Sequence, residues 1–363
     1  MSTLSGHRRV VAAMSGGVDS AVAALRLLHH DVDVVALTLL LRSEPDQAPV
    51  PPPEAIDRAR AVSRHLNIPF HLIDARDAFQ REVVDYFVAE YTAGRTPNPC
   101  VVCNRLVRFG LLMEQAWELD ASLLATGHYA RIRSAHGEFQ LLRGVDSGKD
   151  QSYFLHALTQ DQLARTTFPL GDLQKEDVRA IAASHNLPVA EQAESQDVCF
   201  LAGGDYRAFL ERVAPHSLRP GPIRDSHGRL LGEHRGLAAY TIGQRKGLDV
   251  SGPEPLYVLA VEPGENALIV GPAEELGQDR CRVADLHIMI SGASPREPFQ
   301  AEAQIRYRAR STPVTVHPLS GNRADVQFEE SQRDITPGQF LVLYRGDLVL
   351  GGGIISAAQQ TAT

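Results

Sequence analysis

Long apolar runs are missing from this chain: none reaches the ~18 residues that a membrane helix needs, so no membrane partner is expected. The polar start, Met1 to Arg9, lacks the apolar core of a signal peptide. Cysteine is scarce, four residues at uneven spacing, which excludes the disulfide framework of a small secreted domain and points to a reducing cytoplasm. Positive charge is also short, with 36 Lys and Arg against 44 Asp and Glu and a net charge of −8. Phosphate neutralisation supplies much of any nucleic-acid affinity, so such a partner requires that the basic residues cluster. No internal repeat is visible. What remains is a chain of 363 residues, 44% hydrophobic and 22% charged, globular in composition and long enough for two or three domains.

The stretch Ala13-Met14-Ser15-Gly16-Gly17-Val18-Asp19-Ser20 organises the rest. Before it, Arg9 to Ala13 reads as a buried strand. After it, Val22, Leu25, Leu27 and Leu28 give Ala21 to His30 the pattern of an amphipathic helix. A strand, a small-residue loop and a helix N-terminus aim backbone N–H groups and a positive dipole end at one point. Gly16 and Gly17 remove the Cβ atoms that would block close approach, and Ser15 and Ser20 add hydroxyls. The fitting guest is a phosphate or pyrophosphate. No lysine stands where a Walker A loop needs one, and the three-glycine dinucleotide spacing is missing.

Further along, Val32–Leu41 and Phe70–Asp74 read as strands and Glu54–His65, Asp77–Ala93 and Leu106–Trp117 as helices. Ala121–Tyr129 is expected as a further strand. That alternation predicts an α/β fold, a parallel sheet whose ligands sit at the carboxyl ends of its strands. A hairpin is expected at Ala130–Arg133 and Phe139–Leu142, and helices at Lys175–His185 and Tyr206–Val213. After Pro215, Gly and Pro become frequent and strands short: Leu230–Leu231, Ala238–Ile242, Leu256–Val261, Ala267–Val270. From about Arg280 come Arg282–Ile290, Phe299–Arg310, Val314–Pro318, Ala324–Phe328, Gln339–Tyr344 and Leu348–Ile355, which suggest a small barrel. The expected domains are 1–215, 216–279 (small and β-rich) and 280–363 (the β-barrel).

Two cysteine stretches carry chemistry. In Gly94-Arg95-Thr96-Pro97-Asn98-Pro99-Cys100-Val101-Val102-Cys103-Asn104 two prolines stiffen a loop, and a helix is expected to begin near Asn104. A helix N-terminus, with Arg105 and Arg108 near, would raise the thiolate fraction of Cys103. Cys100 and Cys103 could be half a zinc site, although no second Cys-x-x-Cys exists; a redox pair; a nucleophile with a bystander; or two inert thiols. Glu194 to Phe200 brings Cys199, which alone is a weak signal. Cys281 reads as structural. Arg306, Arg308 and Arg310 would share one face of a strand, a row that suits a phosphate backbone or simply a solvated face.

The loop Ser15-Gly16-Gly17-Val18-Asp19-Ser20 resembles the PP-loop of the ATP pyrophosphatases. With Gly94–Cys103, Ala125-Thr126-Gly127-His128-Tyr129, Gly148–Leu155, Ser195–Phe200, Gly243–Leu248 and Gly351–Ile355 following in order, nearly the whole chain resembles the bacterial tRNA-specific 2-thiouridylases. The resemblance implies ATP and Mg²⁺ as cofactors, tRNA as partner, a monomer, and sulfur from a persulfide carrier or cysteine desulfurase. AMP would pass to the C2 oxygen of the wobble uridine, pyrophosphate would leave, and sulfur would replace AMP. By resemblance Cys199 carries a persulfide and Cys103 is the nucleophile, with a Cys103–Cys199 disulfide as one product. Ala13 to Ser20, Leu39 and Gly127 would meet ATP. Asn98, Pro99 and Cys100 would lie at the target base. His128, Lys149, Asp150, Gln151, Arg306, Tyr307 and Gln339 would meet tRNA. Two departures stand out: many relatives have Asp at the position of Cys100, and Leu39-Leu40-Leu41 replaces a more polar segment. The first opens an alternative, a [4Fe–4S] cluster on Cys100, Cys103 and Cys199. Rival readings are a PP-loop synthetase that adenylates a small molecule on the way to an amide, and a nucleotide-binding protein without turnover.

Overall fold

The computed structural model describes residues 9–42, 50–193, 198–201, 204–250, 252, 254–290 and 297–359. Its strands in chain order begin with β1 (Arg9–Ala13), β2 (Asp33–Leu40), β3 (Phe70–Asp74), β4 (Leu123–Ala125), β5 (Ala130–Ala135), β6 (Glu138–Arg143) and β7 (Thr166–Thr167). They continue with β8 (Gly221–Asp225), β9 (Leu230–His234), β10 (Tyr257–Glu262), β11 (Ala267–Gly271) and β12 (Gln278–Ile288). The last are β13 (Phe299–Gln304), β14 (Thr312–Leu319), β15 (Arg323–Gln332), β16 (Phe340–Arg345) and β17 (Leu348–Gln359). The helices are α1 (Val18–Leu28), α2 (Pro53–His65), α3 (Arg76–Phe79), α4 (Asp85–Thr92), α5 (Pro99–Val102), α6 (Leu112–Glu118), α7 (Gln160–Ala164), α8 (Lys175–Ser184) and α9 (Tyr206–Val213).

The chain divides into two compact units, one of residues 1–83, 100–202 and 347–349, the other of 84–99, 203–346 and 350–363. In the first, a parallel sheet runs β3-β2-β1-β4-β7. The chain fills one side of β1 with β2 and β3, then the other with β4 and β7. The loops after β1 and β4 therefore meet at the carboxyl edge where the strand order reverses, the place where such sheets bind ligands. Val10, Ala12, Val22, Ala24, Val34, Ala36 and Val178 form the core beneath that edge. In the second unit, a four-stranded sheet runs β10-β11-β8-β9 over Ile223, Leu237, Tyr240, Val258 and Leu268. An antiparallel barrel runs β12-β15-β14-β13-β16-β17 and closes through β12 and β17.

Five expected elements differ. The helix expected over Asp77–Ala93 is α3, a π-helical turn at Gln80–Val84, and α4. The helix expected from Leu106 already begins at Pro99, because proline loses nothing at a first helical position whose N–H has no intrahelical partner. From Cys103 to Leu111 it is π-helical. The strand expected over Ala121–Tyr129 stops at Ala125, since the chain then turns in toward the loop after β1. Ala238–Ile242 is not a strand; a 3₁₀ turn covers Leu237–Ala239 after Gly236, whose φ is +129°. Phe299–Arg310 is strand only to Gln304; Arg308 has φ +64° and Ala309 N closes a turn on Arg306 O at 3.1 Å, so the three arginines do not share a strand face.

Candidate active site

Gly17 caps α1 in extended conformation with no side-chain cap, which leaves the first N–H groups of the helix to a ligand. Gly16 has φ +77°, and a Cβ there would stand 2.1 Å from the Ala55 carbonyl oxygen of α2. Met14 is fixed by its N–H to Leu37 O at 2.8 Å and by the Thr38 hydroxyl on its carbonyl at 2.7 Å. Ser20 is buried. Its hydroxyl donates to Gly17 O at 3.0 Å and accepts from Ser15 N and Ser15 Oγ, both at 3.2 Å. Ser20 thus braces the loop. Gly127 follows β4 so closely that a Cβ would lie 3.0 Å from Asp19 C and Ser20 N. Leu39 is buried in β2.

Sequence reasoning missed three side chains here. Arg58 Nε donates to Gly16 O at 3.0 Å. The Tyr129 hydroxyl donates to Asp19 Oδ1 at 2.8 Å, and Lys175 Nζ donates to the same oxygen at 2.6 Å. Among the described residues Asp19 Oδ2 has no protein partner, so a hard carboxylate oxygen stands at the phosphate loop. That fits Mg²⁺, which is held by one or two carboxylates together with substrate phosphates.

The sulfur chemistry looks different. Cys103 is buried on the fifth residue of its helix, and desolvation pushes its thiol up against the pull of Arg108, which hydrogen-bonds to it. The expectation of a ready thiolate at a helix N-terminus is therefore corrected. Arg105 is exposed and is not among the groups acting on the thiol. Burial and then Cys103 push Cys100 up to about 11. Cys199 is exposed, yet desolvation first, and then the two other thiols, raise it as well. The three thiols thus lie within electrostatic reach of one another and of Arg108. Among the described residues, no three His, Cys, Asp or Glu side chains are arranged to hold a metal ion. Ser195, Gln196 and Asp197 lie outside the described residues. Asn104 Nδ2 donates to Cys100 O at 3.0 Å, while its buried Oδ1 has no partner among the described residues.

His128 is buried between Phe109 and Phe168, with Nδ1 2.8 Å from Thr126 Oγ1. Desolvation, aided by Arg108, lowers its pKa to about 3, so the ring is neutral. Asp150 pairs with Arg143 at 3.1 Å and accepts from Gly144 N, Ser152 N and Ser152 Oγ. Gln151 Oε1 accepts from Tyr129 N at 3.1 Å, and Lys149 is partly buried.

The second unit carries the other predicted residues. Arg95 forms an ion pair with Glu90. Thr96 N donates to Pro337 O at 2.9 Å, and Gln339 Nε2 donates to the carbonyls of Thr96 and Pro97 at 3.0 and 3.2 Å. Gln339 thus clasps the loop that ends in Asn98 and Pro99. A cavity of about 250 Å³ beside it is lined by Gly94, Arg95, Thr96, Ile242, Pro263 and Thr336, among others. Arg306 pairs with Asp334 at 3.4 Å; Arg308 lies over the Tyr307 ring, 5.3 Å from its centroid. Cys281 is buried in β12, as a structural residue would be.

Residues 8–203 match the tRNA methyl transferase HUP domain, 207–272 the tRNA methyl transferase PRC-barrel domain, and 278–355 the aminomethyltransferase beta-barrel domain. Over 357 residues the chain is 48% identical to the tRNA-specific 2-thiouridylase MnmA of Moorella thermoacetica, covering 96% of this chain and 99% of that protein. It is 47% identical over 368 residues to the tRNA-specific 2-thiouridylase MnmA of Geobacter metallireducens, covering 98% and 99%. To that of Gloeothece citriformis it is 47% identical over 351 residues, covering 96% and 99%.

Proposed function

The chain belongs to the tRNA-specific 2-thiouridylase family, and from that premise we propose how its residues make 2-thiouridine in tRNA. The domain descriptions speak of methyl transfer; the full-length relatives speak of thiolation, and a phosphate loop with three neighbouring thiols serves the second chemistry. The rival readings, a small-molecule synthetase and a binding protein without turnover, leave those thiols unexplained.

The loop after β1 and the N-terminus of α1 hold the ATP phosphates, with Leu39 and Gly127 at the nucleoside. Mg²⁺, when bound at Asp19, offsets phosphate charge. The uridine C2 oxygen attacks the α-phosphorus, the bond to the β-phosphate breaks, and pyrophosphate leaves. A persulfide donor loads Cys199 with a terminal sulfur. Cys103 loses its proton, attacks the inner sulfur of Cys199, forms the disulfide and expels hydrosulfide. Hydrosulfide adds to C2 and AMP leaves; a dithiol reductant later restores both thiols. Arg108, already hydrogen-bonded to Cys103, stabilises its thiolate. Asn98, Pro99 and Cys100 frame the base. Asn104 Oδ1, without a partner among the described residues, offers an acceptor to the one donor of uracil, N3–H. The tRNA meets Lys149, Asp150, Gln151, Arg306, Tyr307 and Gln339, and only a base drawn in beside Phe109 reaches buried His128. The chain works as a monomer in the cytoplasm, with segments 1–215, 216–279 and 280–363 as its domains; among the described residues no helix is long and apolar enough to cross a membrane.

The observation that carries this reading is the convergence of Cys100, Cys103, Cys199 and Arg108 in the unit that holds the phosphate loop. Incubation with unmodified tRNA, ATP and a persulfide donor, followed by nucleoside analysis, tests it. 2-Thiouridine should form; its absence with a competent donor contradicts the proposal.

A further inference from the structure

One buried cation has no part in the reaction described so far. Lys175 is the first residue of α8 and only 8% exposed. A lysine there faces the positive end of the helix dipole, and a buried ammonium costs several kcal/mol unless it is paired. Local structure therefore gives no reason for it. Two distant anchors hold it: its backbone N–H donates to Asp146 Oδ2 at 2.9 Å, and Nζ donates to Asp19 Oδ1 at 2.6 Å. Nζ also lies 5.7 Å from the centroid of the Tyr129 ring, whose hydroxyl shares that aspartate oxygen.

Resting on the ATP-dependent reading above, we propose that Lys175 is a phosphate-binding residue which Asp19 holds in place until the nucleotide arrives. An ammonium that reaches the phosphate loop's own aspartate is within reach of a phosphate oxygen seated over the same helix N-terminus. Without nucleotide the pair is neutral: the carboxylate compensates the buried lysine, and the lysine offsets the one negative group at the phosphate loop. With a triphosphate over α1, Nζ exchanges one anion for another, so no buried charge is left uncompensated. Both oxygens of Asp19 are then released for the divalent cation that accompanies the nucleotide, in keeping with the preference of Mg²⁺ for carboxylate and phosphate oxygen. The pair therefore serves both the lysine and the aspartate roles from one position.

The test is calorimetric binding of ATP in EDTA, where no metal bridges Asp19 to the phosphates, with adenosine as control. Lys175→Met should weaken metal-free ATP about tenfold or more, as expected for loss of a charge-assisted hydrogen bond, and leave adenosine unchanged. Lys175→Arg should recover part of the loss. Asp19→Asn should bind metal-free ATP at least as tightly as the parent chain, because it removes the competing anion. If Lys175→Met does not fold, the Lys175→Arg and Asp19→Asn results decide. Unchanged ATP binding in Lys175→Met overturns the proposal. So does a parallel loss of ATP affinity and melting temperature in Asp19→Asn and Lys175→Met, the mark of a purely structural clip. Failure of the thiolation reading would look different: normal nucleotide binding by the parent chain and no 2-thiouridine.

Discussion

At the loop after β1, every polar side chain already has its partner: Ser20 closes on Gly17, and Asp19 is held by Lys175 at 2.6 Å and Tyr129 at 2.8 Å. At the cysteines, Cys103 is buried with a raised pKa, burial pushes Cys100 up to about 11, and among the described residues Arg108 is the cation that acts on them. The phosphate end is thus pre-organised, whereas the sulfur end is protonated at rest. A thiol that stays protonated without substrate neither oxidises nor attacks stray electrophiles. On the function proposed above, we infer an order from this difference: nucleotide would bind to a finished site, and sulfur chemistry would wait for tRNA to alter the surroundings of Cys103.

The largest effect that could break this contrast is chemical. Cys103→Ser and Cys199→Ser should each lower 2-thiouridine formation by ~10³-fold or more, with ATP affinity within about twofold of the parent, since neither residue belongs to the phosphate loop. Cys281→Ser should be silent. Single-turnover assays with nucleotide titrations check this, and near-normal transfer by either of the first two variants refutes the assignment.

Acid stability sharpens the contrast next. The folded pKa of His128, about 3, lies below its unfolded value near 6.5. The unfolded chain therefore binds the extra proton between those values, and stability falls as pH falls from 6.5 toward 3, by about 1.4 kcal/mol per unit from this one residue. Urea midpoints of the parent chain and of His128→Leu measure it; the variant should show the shallower acid slope.

At the phosphate end, Gly16→Ala forces a side chain onto φ +77° and into Ala55 O. We expect a loss above ~2 kcal/mol in urea unfolding and weakened ATP binding. A variant as stable as the parent would show the loop to be less rigid than described. The smallest effect belongs to the exposed turn of the second unit. Arg308→Ala should lower tRNA affinity only modestly and reduce the slope of log K against log salt by about 1, measured by filter binding across salt concentrations.

What the sequence made legible follows the same line. The loop Ser15–Ser20 was readable because strand, glycines and helix are contiguous, and β3 and α9 fall where their periodicity puts them. Lys175 was not, because its partner lies 156 residues away and its helical position argues against it. Cys103 was placed at a helix N-terminus because the prolines read as loop; the helix takes Pro99 as its first residue instead. Burial then outweighs Arg108 for the thiol, and no spacing rule reports burial. The alternation of Arg306, Arg308 and Arg310 promised a strand face, but Ile305 is the last buried side chain before them; beyond it Arg306 pairs with Asp334 and the chain turns. Gln339 was read as a tRNA contact; that its amide also holds two carbonyls of the loop before Asn98 is a relation visible only once β16 is in place.

The most direct test counts two products together: pyrophosphate and 2-thiouridine, from ATP, unmodified tRNA and a persulfide donor, with the parent chain and with Cys103→Ser. The account predicts that the parent forms them in equal amounts, with AMP and no ADP, and that Cys103→Ser releases pyrophosphate only with tRNA present and forms no 2-thiouridine. ADP and phosphate as the main products, or 2-thiouridine formed at the parental rate by Cys103→Ser, would contradict it.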